Sequence, residues 1–402
     1  MLNSSTHFES NGLLLTFAFT MEQIYLDNAA TTPMDLMVID VMLPYLTEHF
    51  GNPSSSHAIG RHNKAAIIQA RKSISSLLHC TPGEIIFTGG GTEADNIAIR
   101  GCVKFLGTEV IITSQAEHHA VIHTAEDLKN EKNITLEYAQ IDSLGRASVA
   151  SVQELLKKHQ GKNILVSLMH GNNELGTLNN IDAIGKLCQE YNAYFHSDTV
   201  QTMGHFPFDL SKLNIDFITC SAHKLHGPKG VGFLYINKRI KGFGALQTGG
   251  SQERDLRGGT ENVSGIAGLA KALEISTLNQ QHNHQHIFGL KTYMKNRLQE
   301  IVPDIQFNGD IRDGHSLYTV LNVSFPAPHR DTFLFQLDMM GIAASGGSAC
   351  ASGSNKGSHV LSAIQTSTER NHVRFSFSRF NTINEIDKAL AVIQKLEAEN
   401  HQ

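Results

Sequence analysis

A chain of 402 residues, 41% hydrophobic and 18% charged with a formal charge of −5, is long enough to bury a large core. Its weak acidity and lack of a basic block exclude nucleic acid as the main partner, and no apolar run approaches the roughly 18 residues of a membrane span. Five scattered cysteines (Cys80, Cys102, Cys188, Cys220 and Cys350) with no CxxC pair argue for a reducing, cytoplasmic setting and against a disulfide framework or a structural metal.

Residues 1–20 carry no basic n-region and no arginine, so they read as a loose extension rather than a secretory or mitochondrial leader. The organised chain begins with a strand, Ile24-Tyr25-Leu26. It runs into the polar turn Asp27-Asn28-Ala29-Ala30-Thr31-Thr32-Pro33, and a second polar loop spans Phe50–His57. By themselves both are consistent with surface turns. A helix with Ala65, Ile68, Ile74 and Leu77 follows.

A strand–helix alternation then sets in. Strands are predicted at Ile85–Thr88, Val110–Thr113, Thr135–Ala139, Ile164–Met169, Ala193–Ser197, Phe217–Cys220 and Val231–Ile236. Helical patterns at Ala94–Phe105, Ala120–Lys129, Val149–His159 and Ile181–Glu190 fall between the earlier strands. Such alternation implies an α/β fold with a mostly parallel seven-stranded sheet, whose ligands sit at the carboxyl ends of its strands. The texture changes after residue 264. Two helices, strands at Val320–Phe325 and Val373–Phe377, and a last helix opened by the capping box Thr382-x-x-Glu385 suggest a smaller α+β domain over 265–402. The large domain then covers 21–264, and the N-terminal strand is compatible with either.

The polar groups at the predicted strand ends carry the chemistry. Gly89-Gly90-Gly91-Thr92-Glu93-Ala94 joins a strand to a helix start, and its free N–H groups suit a phosphate. The same residues match GxGxxA, but Glu109 comes too early to be the ribose-binding acid, and no GK[ST] follows. A plain glycine turn stays open. Glu117-His118-His119 offers an acid/base imidazole or a structural pair. Asp198 closes a strand as a partner for a pyridine nitrogen or as a helix cap. Ser221-Ala222-His223-Lys224-Leu225-His226-Gly227 sets a lysine at the tip of a strand pair, where partial desolvation would free its amine to attack an aldehyde; a solvated turn lysine is the alternative. Arg374 alternates with apolar residues in a strand and needs an anion, either a substrate carboxylate or a structural partner. Cys350 lies among Gly, Ser and Ala residues that cannot pack a core, whereas the other cysteines have apolar or helical settings. His282, His284 and His286 are spaced i, i+2, i+4, which does not place three ligands on one helix face.

Taken together, YLDNAATTP, GNPSSSH, FTGGGTEADN, EHHAV, VSLMHGNNELGT, DTVQ, SAHKLHGPKGVG, QERDLRGGTENV, SGGSACASGS and VRFSFSRF resemble the cysteine desulfurases of the NifS/IscS type, in the class V aminotransferase group. The likeness runs from about Ile24 to about Asn384. It implies the fold type I of aspartate-aminotransferase-like enzymes, pyridoxal 5'-phosphate as cofactor and L-cysteine as substrate. It further implies that Lys224 holds the cofactor, that His118 is the ring-stacking acid/base, and that Asp198 pairs with the pyridine nitrogen. Gly91, Thr92, Ser221 and His223 match the phosphate cradle, and Asn173 and Gln201 match cofactor or substrate contacts. Thr260 matches a threonine that reaches the phosphate of a neighbouring subunit, which implies a homodimer. Arg374 matches the arginine for the substrate carboxylate, and Cys350 the cysteine that becomes a persulfide.

The expected outcome is L-alanine plus a Cys350 persulfide. The sulfur passes to an iron–sulfur scaffold or a sulfur carrier, so that Cys350 touches a metal cluster only in transit. A class V aminotransferase, a selenocysteine lyase and a docking platform for sulfur transfer are the rival readings. The chain departs from the family pattern at Asp255 and Gly258, where Gly and Ser are usual, and at Asn355-Lys356-Gly357.

Overall fold

The computed structural model describes residues 23–132, 134–326, 332–346, 357–367 and 369–400. Residues 1–20 and Cys350 therefore lie outside the described residues. In chain order the elements begin with β1 (Ile24–Tyr25), α1 (Leu36–Thr47), α2 (Ala58–Leu77), β2 (Ile85–Thr88) and α3 (Gly91–Leu106). Next come β3 (Val110–Thr113), α4 (His119–Lys132), β4 (Thr135–Tyr138), α5 (Val149–Lys158), β5 (Ile164–Ser167) and α6 (Ile181–Glu190). The strands β6 (Tyr194–Asp198), β7 (Phe217–Ser221) and β8 (Gly232–Ile236) complete the main sheet.

That sheet has seven strands in the order β2-β8-β7-β6-β5-β3-β4. Only β8 runs against its neighbours, pairing antiparallel with β2 and β7, and the other pairs are parallel. Strand residues alternate between two buried faces. Ile85, Phe87, Ile112, Val166 and Phe233 point into one apolar layer, and Ile86, Ile111, Leu165, Phe217 and Leu234 into the other. Burial on both faces is why these strands read as continuous apolar runs.

The remaining elements are α7 (Val263–Leu278), α8 (Gln280–Ile301), β9 (Gln306–Asn308), β10 (Val320–Phe325), α9 (Phe333–Met339), β11 (Ile342–Ala343), α10 (His359–Ala363), β12 (Asn371–Ser376) and α11 (Ile383–Asn400). A second core forms where the antiparallel sheet β12-β10-β9 packs Val323, Phe325, Val373 and Phe375 with Leu290 and Met294 of α8 and Ile386, Leu390 and Ile393 of α11. Ile24 and Leu26 join this core, because β1 pairs with β11. The Thr382 capping box forms, with Thr382 N–H donating to Glu385 Oε2 at 2.6 Å.

Two features were not read from the pattern. Helix α7 turns Ile266, Leu269, Ala270 and Leu273 into the large core beside α1 and α2, although it begins near residue 265, where the smaller unit was expected to start. Helix α1 contains Pro44 and leaves Leu36, Leu43 and Leu46 exposed, so its periodicity reports no buried stripe. Among the described residues no helix is long and apolar enough to cross a membrane.

Candidate active site

The carboxyl ends of β5, β6 and β7 meet the N-terminus of α3 around a cavity of about 210 Å³. Its walls include Gly91, Thr92, His118, Asn173, Asp198, Gln201, Ser221, His223, Lys224 and Arg374. Residues spread over most of the sequence thus converge on one site. Among the described residues one expected member stands apart. Thr260 lines neighbouring clefts beside Arg257 and Phe50 rather than this cavity, and Cys350 is outside the described residues. Lys229 is exposed and lies on an adjoining cleft.

Lys224 ends a single turn of 3-10 helix, Ala222–Lys224, directly after β7. Its Nζ donates to Ala29 O at 2.5 Å and Ala30 O at 2.8 Å. Those carbonyls belong to the polar turn after β1. That turn is a strap between the two cores. Thr32 N–H donates to His223 O at 2.9 Å, and Asn28 Nδ2 donates to Ser376 O at 2.9 Å in β12. Gln201 Nε2 also donates to Ala29 O, at 3.0 Å. The turn that looked like bare surface therefore holds the lysine and the glutamine of the site.

Asp198 is the last residue of β6 and is buried, with Oδ1 accepting Val200 N–H at 2.9 Å. Burial, and next the nearby Asp95 carboxyl, push its pKa up to about 7. His118 precedes α4 and its Nδ1 accepts Ala120 N–H at 3.1 Å, which in the neutral ring leaves the proton on Nε2. Burial and then the Lys224 charge lower its pKa to about 4, so it is an uncharged imidazole near neutrality. Burial followed by Lys224 also lowers His223 to about 4.

The glycine turn before α3 is shaped for close approach. Gly90 has φ +146°, and a Cβ on Gly91 would come within 2.8 Å of Val200 Cγ2. The α3 N-terminus consequently opens straight onto the cavity, with the hydroxyl residues Thr92 and Ser221 beside it. Glu109 instead accepts Asn163 N–H, at 3.2 Å, and takes no part.

On the opposite wall Arg374 is buried in β12. Its Nη2 lies 2.8 Å from Asp27 Oδ1, its Nη1 donates to Asn173 O at 2.9 Å, and its Nε is buried without a hydrogen-bond partner. A guanidinium whose Nε–H is unmet, on a residue lining a polar cavity, suits a carboxylate.

This donor set fits a phosphorylated pyridine aldehyde. A helix N-terminus and hydroxyls suit the phosphate, a buried carboxyl suits a ring nitrogen, and an amine suits the aldehyde. The class-V aminotransferase family matches residues 24–389. The chain belongs to that family, a group of pyridoxal-phosphate enzymes. It is 42% identical over 378 residues to the cysteine desulfurase IscS of Methanosarcina thermophila, covering 93% of this chain and 91% of that one. Identity to the cysteine desulfurase IscS of Dictyoglomus turgidum is 40% over 378 residues, covering 93% and 94%. A solved NifS-like protein superposes with a TM-score of 0.86 at 32% identity, covering 94% of this chain and all of that one. A structure described as SspA in complex with cysteine gives 0.75 at 31% identity, covering 89% and 99%.

The sequence reading missed several class-V site neighbours. Asp27 lies in the YLDNAATTP motif, and it holds Arg374 at 2.8 Å. Asp95 and His196 lie beneath Asp198. Their signal was positional: Asp95 is one helical turn from Gly91, and His196 shares a strand face with Asp198. His284 and His286 make separate contacts, His284 with Asp313 at 2.9 Å and His286 with Asn381 O at 2.9 Å.

Proposed function

We propose that the protein is a pyridoxal 5'-phosphate-dependent cysteine desulfurase that converts L-cysteine to L-alanine and keeps the sulfur as a persulfide. The observation that carries this reading is the convergence of Lys224, Asp198, His118 and Arg374 on one cavity. Bound there, the cofactor would supply an aldehyde carbon for an amine and a ring that takes up electrons from the substrate Cα. Gly91, Thr92, Ser221 and His223 hold its phosphate, Asp198 its ring nitrogen, and Lys224 its aldehyde end. Asn173 and Gln201 contact cofactor or substrate, and His118, neutral at its Nδ1, moves protons. Arg374, already aligned by Asp27, grips the carboxylate of L-cysteine.

Cys350 receives the sulfur. Its thiolate forms an S–S bond with the substrate sulfur as the C–S bond breaks, and the carbon keeps the electron pair, gains a proton and leaves as alanine. The described residues on either side of 347–356 are fastened beside the cavity. Ser345 and Arg374 exchange backbone hydrogen bonds (Arg374 N–H to Ser345 O at 2.6 Å), and His359 Nε2 contacts Glu117 O at 2.9 Å. Ser358 Oγ donates to Glu174 Oε2 at 2.5 Å. An iron–sulfur scaffold or a sulfur carrier then takes the persulfide. A homodimer is part of the proposal. Leu36, Leu46 and the 81%-exposed Phe50 offer an apolar face, and Thr260 shares a cleft with Phe50.

The test is incubation of the purified, cofactor-loaded protein with L-cysteine and a thiol reductant. Equal amounts of alanine and sulfide are expected. Transfer of the amino group to a keto acid without alanine would overturn the desulfurase reading in favour of an aminotransferase.

A further inference from the structure

Next to Asp198 the cavity is also lined by Asp95, for which the chemistry above has no use. Asp95 of α3 is 1% exposed and His196 of β6 is fully buried. His196 Nε2 lies 3.3 Å from Asp95 Oδ1 and 3.1 Å from Thr219 Oγ1, and its Nδ1 lies 2.8 Å from Ser167 Oγ. Carboxylate and ring atoms of Asp95, Asp198 and His118 lie within 4.8 Å of one another.

We propose that Asp95, backed by His196, is a positioning residue that holds the one proton of a buried carboxyl pair and thereby keeps the pair's negative charge on Asp198. This rests on the reading of Asp198 as the partner of the cofactor ring nitrogen. Two carboxylates this close in a water-poor site do not both ionise, and their protons come off as a coupled pair. The surroundings decide which one ionises. Burial and an ionised Asp95 would raise Asp198, but Asp198 accepts a backbone N–H from Val200 and feels the Lys224 charge, which favour its ionised form. Asp95 Oδ1 is buried without a hydrogen-bond partner, and burial pushes its carboxyl up to about 7. The other groups facing the pair supply no positive charge near neutrality. Burial drives His196 and His118 down to about 4 and pushes the Glu117 carboxyl up. A proton on the unpartnered Asp95 Oδ1 would face the His196 ring 3.3 Å away. A ring cation entering the cavity meets one negative charge, at Asp198.

Infrared spectroscopy with aspartate-specific 13C labelling locates the proton in the cofactor-free protein. A protonated-carboxyl band that titrates near pH 7 is expected in the native protein and in Asp198→Asn, and its loss is expected in Asp95→Asn. A band that disappears in Asp198→Asn, or that is absent from the native protein, overturns the assignment without needing Asp95→Asn to fold. Pyridoxal 5'-phosphate affinity is then measured from pH 6 to pH 9. The native profile should show a step near pH 7 that Asp95→Asn lacks, and superimposed profiles count against the proposal. A native protein that binds no cofactor would refute the functional reading, while the infrared result would still decide where the proton lies.

Discussion

The two walls of the cavity handle charge in opposite ways. On the sheet side, Asp198, Asp95 and His118 sit at strand ends and helix starts, and burial drives each toward its neutral form. On the opposite side, Arg374 is just as buried but is met by Asp27 and by the Asn173 carbonyl. In the proposed function the first wall takes the cofactor ring. The other is a clamp already fixed at both Nη atoms, with its Nε–H unmet. Damage to the sheet wall should therefore be read in cofactor retention, proton chemistry and pH response, and damage to the Arg374 wall in substrate affinity.

The largest effects should come from the covalent chemistry. Lys224→Ala should abolish alanine formation and the borohydride-fixed cofactor adduct, with peptide mapping as the check. Cys350→Ser should leave cofactor loading and the spectral response to L-cysteine intact, because those steps use Lys224, Asp198 and Arg374. It should remove all alanine formation and the protein-bound persulfide. Persulfide found by mass spectrometry on Cys80, or turnover near the native rate, would contradict the assigned sulfur acceptor.

Next in size is the clamp. Arg374→Lys keeps a charge but loses the planar fork shared between Asp27, the Asn173 carbonyl and a ligand carboxylate. Losing a charge-assisted hydrogen bond costs about 1.5–3 kcal/mol. The KM for L-cysteine should accordingly rise by about one to two orders of magnitude, with cofactor affinity nearly unchanged. Lost cofactor with normal substrate affinity would show that the two walls are not separable.

The sheet wall was legible in the sequence to the extent that its residues follow strands. Apolar runs such as Ile85–Thr88 and Val110–Thr113 are buried on both faces, so their ends could be found and the polar residues there named. Lys224, His118 and Asp198 are all of this kind. What escaped was the contact between segments. Nothing in Asp27-Asn28-Ala29-Ala30 announces that two of its carbonyls hold a lysine nearly two hundred residues away. Asp95 looked like one more polar residue at a helix start. Helix α7 packs beside α1 and α2 in the large core, which its apolar stripe could not announce, because a stripe states that it is buried without stating against what.

A moderate effect separates the walls by pH. Buried His196 and the half-buried His118, His170, His205 and His223, on and around the sheet wall, have pKa values lowered to about 4 from the ordinary 6.5, with desolvation the leading cause. Between these two values the unfolded chain binds the protons that the folded chain refuses, so stability falls as pH drops from 6.5 through 4. Asp95 and Asp198 are shifted the other way. Their contribution is complete below the ordinary 3.8 and is lost as pH rises through about 7. Calorimetry of the cofactor-free protein should therefore show Tm falling on the acid side of pH 6.5. A flat Tm between pH 4 and pH 6.5 would mean that these imidazoles are not held neutral.

The smallest effect lies outside both walls, in the turn that leads to Thr260. Glu253, Arg254 and Asp255 take φ of 46°, 58° and 63°, three successive left-handed residues without a glycine. The first two are secured. Arg71 binds Glu253 through two hydrogen bonds at 2.6 and 2.8 Å, and Arg254 Nη2 donates to Gly83 O and Ile85 O. Asp255 is exposed, at a position where the family usually has glycine. The neighbouring departure is accommodated, since a Cβ on Gly258 would come within 2.9 Å of Gly249 N. A left-handed residue with a Cβ costs roughly 1–2 kcal/mol, less for Asp, and the added freedom of glycine in the unfolded chain returns part of that. Asp255→Gly should therefore stabilise by about 0.5 kcal/mol and raise Tm by about 1 °C, while Asp255→Val should lower it. Turnover of L-cysteine should be unchanged, because this turn touches neither Lys224 nor Arg374. A fall in Tm for Asp255→Gly would show that the aspartate is held by contacts that outweigh its backbone strain.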